Sequence, residues 1–347
     1  MKKIKIGLAG GGTIHDFHMY AYNRIPEVEV VAVCALPKDV KPFAEKWRIS
    51  KTFTEIENLC KEPEIDVIDI GLPPFLHSKA VVLAAEEHKA VLCEKPLARN
   101  AEEAGEMVSA VEKHGVFNAY LENYSFFSWV EEAKRCLENG AIGKPVWMRF
   151  YEGNSGPSSP WCFKPELSGG GCLMDLGCHS IEAHRWLLGK KNPIQAFGWI
   201  DSLVNKQAIE TGVEDYCLAL VKYDETMSQC ESSWGVISPG NRVKLEILGT
   251  EGTFSIGTCP RVEVFSTASD AQILKRLMDV PGVDKGWFFS GVVMAEYLQA
   301  MVSQMQHIVA SYLQDKAPRH ELKDGLIVNK IMDAVYKSAE SGKWENI

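Results

Sequence analysis

The chain has 347 residues, a formal net charge of −9 and 46% hydrophobic residues, and it has no uncharged apolar run of about 18 or more residues that could span a bilayer. An acidic balance without a Lys/Arg cluster argues against nucleic acid as partner, because phosphate binding needs concentrated positive charge; the expected ligand is small. The ten cysteines are scattered, with no Cys-x-x-Cys pair, so reduced, buried thiols are expected rather than a disulfide framework.

The amino terminus, "MKKIKIGLAGGG", sets two lysines before apolar residues as a secretory signal does, but Lys5 breaks the run and glycines stand where a cleavage site would be. It reads as the first strand of a cytoplasmic protein. Short apolar strands then alternate with helical patterns: "KIKIGLA", "VEVVAVCA", "IDVIDIG", "AVLCE" and "VFNAYL", with helices such as "AEEAGEMVSAVEKHG" between them. Such alternation predicts parallel pairing in a doubly wound sheet, with ligands at the carboxyl ends of the strands.

Beyond about residue 123 the texture changes. A helix, "WVEEAKRCLENG", leads to "EGNSGPSSPW", which reads as a mobile surface loop from its Gly, Ser and Pro. A helix over "CLMDLGCHSIEAHRWLLG" follows, then the period-two runs "VEDYCLALVKY", "TMSQCESSW", "VKLEILG" and "TFSIG", which predict an antiparallel meander. Two helical segments, "MAEYLQAMVSQMQHIVASYLQD" and "GLIVNKIMDAVYKSAESG", close the chain. The fold expected is α/β: a Rossmann doubly wound parallel sheet over residues 1–122, and over 123–347 a substrate-binding and oligomerisation α+β domain with a large, mostly antiparallel open sheet. The closing helices have the option of packing back on the first domain.

Gly10, Gly11 and Gly12 come straight after the first strand, with Thr13 and Ile14 leading into a helix. In a dinucleotide site the first glycine makes the tight turn, the second admits the pyrophosphate, and the helix amino terminus faces the negative charge. The third glycine of the G-x-G-x-x-G pattern is replaced by His15, so close packing of helix on strand must be achieved another way. An acid that binds the ribose 2′-hydroxyl of NAD is expected about 20 residues on, but that place reads Ala35, Leu36, Pro37, Lys38. With no acid to repel a 2′-phosphate and Lys38 able to approach one, NAD and NADP both stand as cofactors; the alternative for Lys38 is an ordinary solvated lysine.

The fifth strand ends in Glu94, Lys95 and Pro96. A residue before proline is pushed toward extended conformations, so Lys95 continues the strand direction beyond the carboxyl edge, into the ligand crevice. Further on, "GGGCLMDLGCH" sets Asp175 and His179 four apart on the predicted helix, hence on one face, after three glycines that allow close approach. For an isolated Asp and His at this spacing a surface hydrogen-bonded pair is the alternative, as a plain surface lysine ending a strand is for Lys95. Cys162, Cys172, Cys178, His179 and His184 lie in one stretch but fit no common zinc spacing, and no metal is expected.

The stretch "IDIGLPPFLHSKAVVLAAEEHKAVLCEKPLARN" strongly resembles the Gfo/Idh/MocA family, named from glucose-fructose oxidoreductase, inositol dehydrogenase and MocA, and the resemblance continues through "NGAIGKP", "ELSGGGCLMDLGCHSIEAHRWLLG", "ILGTEGTFSI" and "DAVYKSAESG". It implies that Lys95 touches the nicotinamide region and the reacting hydroxyl, that Pro73 and His77 belong to the loop near the nicotinamide ribose with Glu94 beside them, and that Asp175 and His179 are catalytic. In the reaction so implied, hydride moves from a secondary carbinol to nicotinamide C4 and the hydroxyl proton must leave. A histidine, with an ordinary pKa of about 6.5, suits that proton, a lysine cation beside the same oxygen stabilises the developing alkoxide, and Asp175 would orient the sugar hydroxyl or the lysine. Many relatives carry an Arg-Phe and a nearby proline where this chain has Ser125 and Ser128, so Glu122, Asn123 and Tyr124 are the polar groups left there for substrate. Trp161 offers an apolar face to a sugar ring and Lys164 a polar contact. Three functions follow: an NAD(P)-dependent dehydrogenase of a sugar, glycoside or cyclitol, a redox-neutral glycosidase-like enzyme with tightly held NAD, or a non-catalytic sensor. Relatives pair through the C-terminal sheet, which implies a homodimer or homotetramer.

Overall fold

The computed structural model describes residues 3–236, 242–257 and 291–347. The chain divides into two compact units, one of residues Met1–Glu131, Lys164–Gly170 and Glu296–Asp333, the other of Glu132–Phe163, Gly171–Ala295 and Ala334–Ile347.

The first unit alternates β1 (Ile4–Ala9), α1 (Thr13–Tyr22), β2 (Val28–Cys34), α2 (Pro37–Trp47), β3 (Lys51–Phe53), α3 (Ile56–Cys60), β4 (Val67–Ile70), α4 (His77–Glu86), β5 (Ala90–Glu94), α5 (Ala101–His114) and β6 (Asn118–Leu121). Their six-stranded sheet runs in the order β3-β2-β1-β4-β5-β6, with every pair parallel. The order reverses between β1 and β4, and a ligand crevice forms outside the carboxyl ends at such a point. Strands β4 and β5 are buried along their whole length, as a sheet covered on both faces requires. Edge strand β3, "KTF", is only three partly exposed residues with no apolar run, and for that reason left no pattern to read.

Local signals set the helix ends. Asn100 caps α5 by accepting the Glu103 N–H at 2.9 Å, and Gly115 closes it in the left-handed region at φ 61°. Val302, Met305, Ile308 and Val309, from the helix Gly291–Leu313, join Ile6, Leu8, Leu92 and Leu121 in one core cluster. That helix buries its apolar stripe on the parallel-sheet unit, as the packing-back option allowed.

The second unit is built on a seven-stranded sheet in the order β12-β11-β7-β10-β9-β8-β13, with β7 (Pro145–Gly153), β8 (Gln195–Asp201), β9 (Tyr216–Lys222), β10 (Met227–Ser233), β11 (Arg242–Gly249), β12 (Thr253–Gly257) and β13 (Glu345–Asn346). It is mixed and mostly antiparallel: β10 pairs with β7 in parallel and the other pairs are antiparallel. The expected meander is corrected in one respect, because β7 lies between β10 and β11 and separates the two hairpins. Strand β7 also takes up the start of the supposed surface loop. It runs through Gly153 with Glu152 buried, and Pro160–Phe163 forms a single tight helical turn with Cys162 and Phe163 buried.

Met148, Phe150, Cys217, Ala219, Val221, Cys230, Leu245 and Ile247 are buried on one sheet face, where His184 of the helix Cys178–Leu187 bonds Ser228 at 2.6 Å. The cysteines therefore belong to the inner face, not to the outer one, whose alternate positions carry Arg149, Tyr151, Leu218, Leu220, Glu231 and Glu246.

Candidate active site

At the carboxyl end of β1, Gly10 donates to Cys34 O at 2.8 Å with φ +126°, and a Cβ there would come within 2.6 Å of Gly71 O. Only glycine makes this turn. A Cβ on Gly12 would meet nothing within 4 Å; Gly12 is the extended cap of α1 and makes no side-chain cap bond. The turn thus presents an open backbone surface, with the first amides of α1, at Thr13 and Ile14, lacking helical acceptors. These features fit a dinucleotide pyrophosphate.

His15 replaces the third glycine and is fully buried. Its room comes from Gly10 and Gly71, where an added Cβ would lie 2.9 and 2.8 Å from the imidazole. The close packing that the missing glycine would provide is supplied by Gly71, at the end of β4. After β2, Ala35 is half-buried and Leu36, Pro37 and Lys38 are exposed, with Pro37 opening α2.

Past β4, Pro73 is half-buried and His77 is buried. The His77 ring lies 3.0 Å from Leu97 O and 2.7 Å from Leu72 O, tying the loop after β4 to the loop after β5, and burial lowers its pKa. Glu94 is buried and Lys95 half-buried. One oxygen of Glu94 faces His18 Nε2 at 3.0 Å, while the other accepts the Lys95 N–H at 3.1 Å. The Lys95–Pro96 bond is cis.

Asn123 and Tyr124 are buried, and the Glu122 carboxylate accepts the Tyr124 N–H at 2.8 Å. Ser125 bonds the His320 ring at 2.7 Å, and the guanidinium of Arg319 lies 3.9 Å from the Phe126 ring centre and donates to Ser125 O. An arginine from a distant part of the chain thus lies against Ser125 and Phe126. Tyr297 escaped the sequence reading altogether. Burial and then the charge of Glu94 raise its pKa, with Lys95 and then the Asn123 side chain opposing. An aromatic residue in an apolar helix carries no mark of such a setting, and only the polar partners disclose it.

In the second unit the segment that carries Asp175 and His179 is anchored at its start. Glu214 Oε1 accepts the N–H groups of Gly171 and Leu173 at 2.8 and 3.1 Å and the hydroxyl of Tyr336 at 2.8 Å. A Cβ on Gly171 would lie 2.0 Å from Glu214 O, so Gly171 is a requirement of this clamp. The expected single α-helix is corrected here: Leu173–Gly177 is a π-helical turn, and the α-helix begins at Cys178. Such turns concentrate at functional sites. Asp175 accepts the Trp234 indole N–H at 3.1 Å, and His179 is 6% exposed.

The Cys172 and Cys178 thiols donate to the carbonyls of Ser232 and Asp175, and burial raises Cys172 and lowers His184 to about 3. Protonated thiols bonded to carbonyls suit packing, not zinc ligation. Trp161 is half-buried in the turn Pro160–Phe163, and Lys164 is exposed; they fall in different units.

A doubly wound sheet, a glycine turn shaped for a pyrophosphate and a lysine held at the carboxyl edge define an NAD-binding oxidoreductase of Rossmann type. Residues 4–121 match the oxidoreductase family with NAD-binding Rossmann fold, and residues 130–255 match the GFO/IDH/MocA C-terminal domain. The chain belongs to the Gfo/Idh/MocA family. It is 24% identical to levoglucosan dehydrogenase of Pseudarthrobacter phenanthrenivorans, over 100% of this chain and 99% of that protein. It is 30% identical to trans-1,2-dihydrobenzene-1,2-diol dehydrogenase of Danio rerio, over 73% of this chain and 74% of that one. Among solved structures, GenD2 from gentamicin A biosynthesis in complex with NAD aligns with a TM-score of 0.85 at 21% identity, covering 100% of this chain and 97% of that one. Levoglucosan dehydrogenase in complex with NADH and levoglucosan aligns at 0.83 and 22% identity, covering 100% of both.

Proposed function

We propose that the chain is an NAD(P)-dependent dehydrogenase that oxidises a ring secondary alcohol of a sugar, glycoside or cyclitol. The observation that carries this reading is Lys95, half-buried at the carboxyl edge of the sheet with its backbone held by Glu94. Curated relatives named levoglucosan dehydrogenase and D-apiose dehydrogenase support the substrate class.

In this reading residues 1–122 bind the dinucleotide, and 123–347 bind substrate and carry the oligomer contact. Gly10, Gly12, Thr13 and Ile14 hold the pyrophosphate, Ala35 and Lys38 border the adenosine ribose, and Pro73, His77, Glu94 and Lys95 border the nicotinamide. When bound, the nicotinamide supplies the hydride acceptor. The carbinol C–H bond breaks with its electron pair, a C=O bond forms, and the hydroxyl proton passes to a ring nitrogen of His179. Lys95 stabilises the alkoxide that develops on the oxygen, and Asp175, fixed by Trp234, orients the substrate hydroxyl. Asn123, Tyr124, Trp161 and Lys164 select the sugar.

The test is a panel of sugars, glycosides and cyclitols against both cofactors, read by the absorbance of reduced nicotinamide. Net turnover supports the dehydrogenase; cofactor retained by the purified protein, with no turnover, would replace it by the redox-neutral reading. No acid stands at positions 35–38, so NADP is accepted, and Lys38→Glu weakens it selectively through repulsion of the 2′-phosphate. Among the described residues no helix is long and apolar enough to cross a membrane, which accords with the proposed cytoplasmic setting.

A further inference from the structure

A group of ionisable side chains is enclosed in the parallel-sheet unit beneath the glycine turn. His18, on α1, lies between two carboxylates: its Nδ1 is 2.8 Å from Asp69 of β4, and its Nε2 is 3.0 Å from Glu94 of β5. Tyr22 donates to the same Asp69 oxygen at 2.8 Å. His15 faces the other Asp69 oxygen at 3.6 Å, beyond hydrogen-bond reach, and stands edge-on to the His18 ring. His15, His18 and Asp69 are fully buried, and Glu94 is 5% exposed.

A neutral imidazole has one N–H to donate. With a carboxylate acceptor on each nitrogen, His18 satisfies both only when it carries both protons, and buried carboxylates require such a partner. We propose that His18 is a buried imidazolium strut that fixes Glu94 and, through its second oxygen, the backbone of Lys95, which makes His18 a positioning residue for the reaction. The inference rests on Lys95 acting in the proposed dehydrogenation. Burial opposes the charge on His18, and Asp69 and then Glu94 outweigh it, lifting His18 to about 10; Tyr22, His77, Cys93 and Tyr297 also feel the charge of Glu94. The strut ties together α1, which starts at the glycine turn, and β4 and β5, which end at the crevice. Lys95 is thereby set from the same helix that receives the pyrophosphate. Ligand atoms of His15, His18 and Asp69 lie within 4.8 Å of one another, but an imidazolium has no lone pair to offer a metal.

The test uses the whole protein with ring-15N histidine. His18 is expected to show two ring N–H resonances that persist unchanged from pH 6 to about 9 and vanish in His18→Gln. A single ring N–H, titration near the ordinary histidine value, or stoichiometric metal found by elemental analysis would overturn the strut. In the reaction, His18→Gln should lower kcat about tenfold or more, while the Kd for NADH, read by fluorescence, changes less than about threefold. An unchanged kcat in a folded variant, or equal losses in kcat and NADH affinity, would contradict a positioning role. Should His18→Gln fail to fold, Glu94→Gln keeps the shape and one acceptor; it should leave His18 with one N–H and lower kcat. Two surviving signals, or wild-type kcat, would count against the proposal. The resonances need no substrate, so failure of the sugar panel and failure of the strut are separable.

Discussion

In the proposed reaction His179 takes the hydroxyl proton, so His179→Asn, which keeps a polar side chain but cannot accept that proton, should lower the oxidation rate about 100-fold or more. Asp175→Asn should lower the rate less, because the base remains. A wild-type rate in His179→Asn would send the proton elsewhere. His18 makes a second prediction, of stability. Its pKa in the fold, about 10, lies above the ordinary value of about 6.5, so its contribution is complete below about pH 6.5 and is lost as pH rises through about 10. Urea midpoints should therefore fall more steeply between pH 7 and 10 in the wild type than in His18→Gln; parallel curves would contradict this. The place of Lys95 at the carboxyl edge of the sheet was legible because proline fixes the geometry before it and the strand supplies the edge. The settings of Tyr297 and His18 were not, because they depend on partners far along the chain, such as Glu94.

Among the elements, the strands of the parallel sheet were readable from their continuous apolar runs, which burial on both faces demands. Strand order in the mixed sheet was not: the insertion of β7 between β10 and β11 is a long-range pairing with no local cue. The π-helical turn over Leu173–Gly177 was equally hidden, since the periodicity of "LMDLG" does not mark it, and the Glu214 clamp at its start is again a long-range contact. At the glycine turn one element makes room for another. Gly71→Ala would bring a Cβ within 2.8 Å of the His15 ring and 2.9 Å of Ile14, pressing on α1 from β4. Overpacking of this kind costs about 1–3 kcal/mol, and α1 carries the amides proposed to hold the pyrophosphate. NADH affinity should drop about tenfold, with a lowered melting temperature; wild-type binding would show that the turn adapts without cost.

For the whole molecule, the outer face of the mixed sheet raises the question of assembly. Trp199 is 44% exposed, and half-buried Phe197, Tyr216, Leu218 and Leu220 continue an apolar strip across β8 and β9, which is more than isolated exposed residues account for. Charged pairs such as Arg149–Glu246 border it. A symmetric contact of this face on itself is the proposed contact of a dimer or a dimer of dimers, and light scattering should give about two or four times the 38.6 kDa chain mass. Trp199→Glu should shift the population to monomer, whereas a wild type that stays monomeric at micromolar concentration would leave the face to another role.

The proposed transfer of hydride from a ring carbinol to the nicotinamide, with Lys95 stabilising the alkoxide, is decided by a single turnover with the best substrate of the panel deuterated at its carbinol carbon. The deuterium should appear at C4 of the accumulating reduced nicotinamide, in step with ketone formation, and Lys95→Ala should slow the step about 100-fold or more while binding NADH as the wild type does. Deuterium retained in the product or lost to water without accumulation of reduced cofactor, or a Lys95→Ala enzyme that turns over at the wild-type rate, would contradict it.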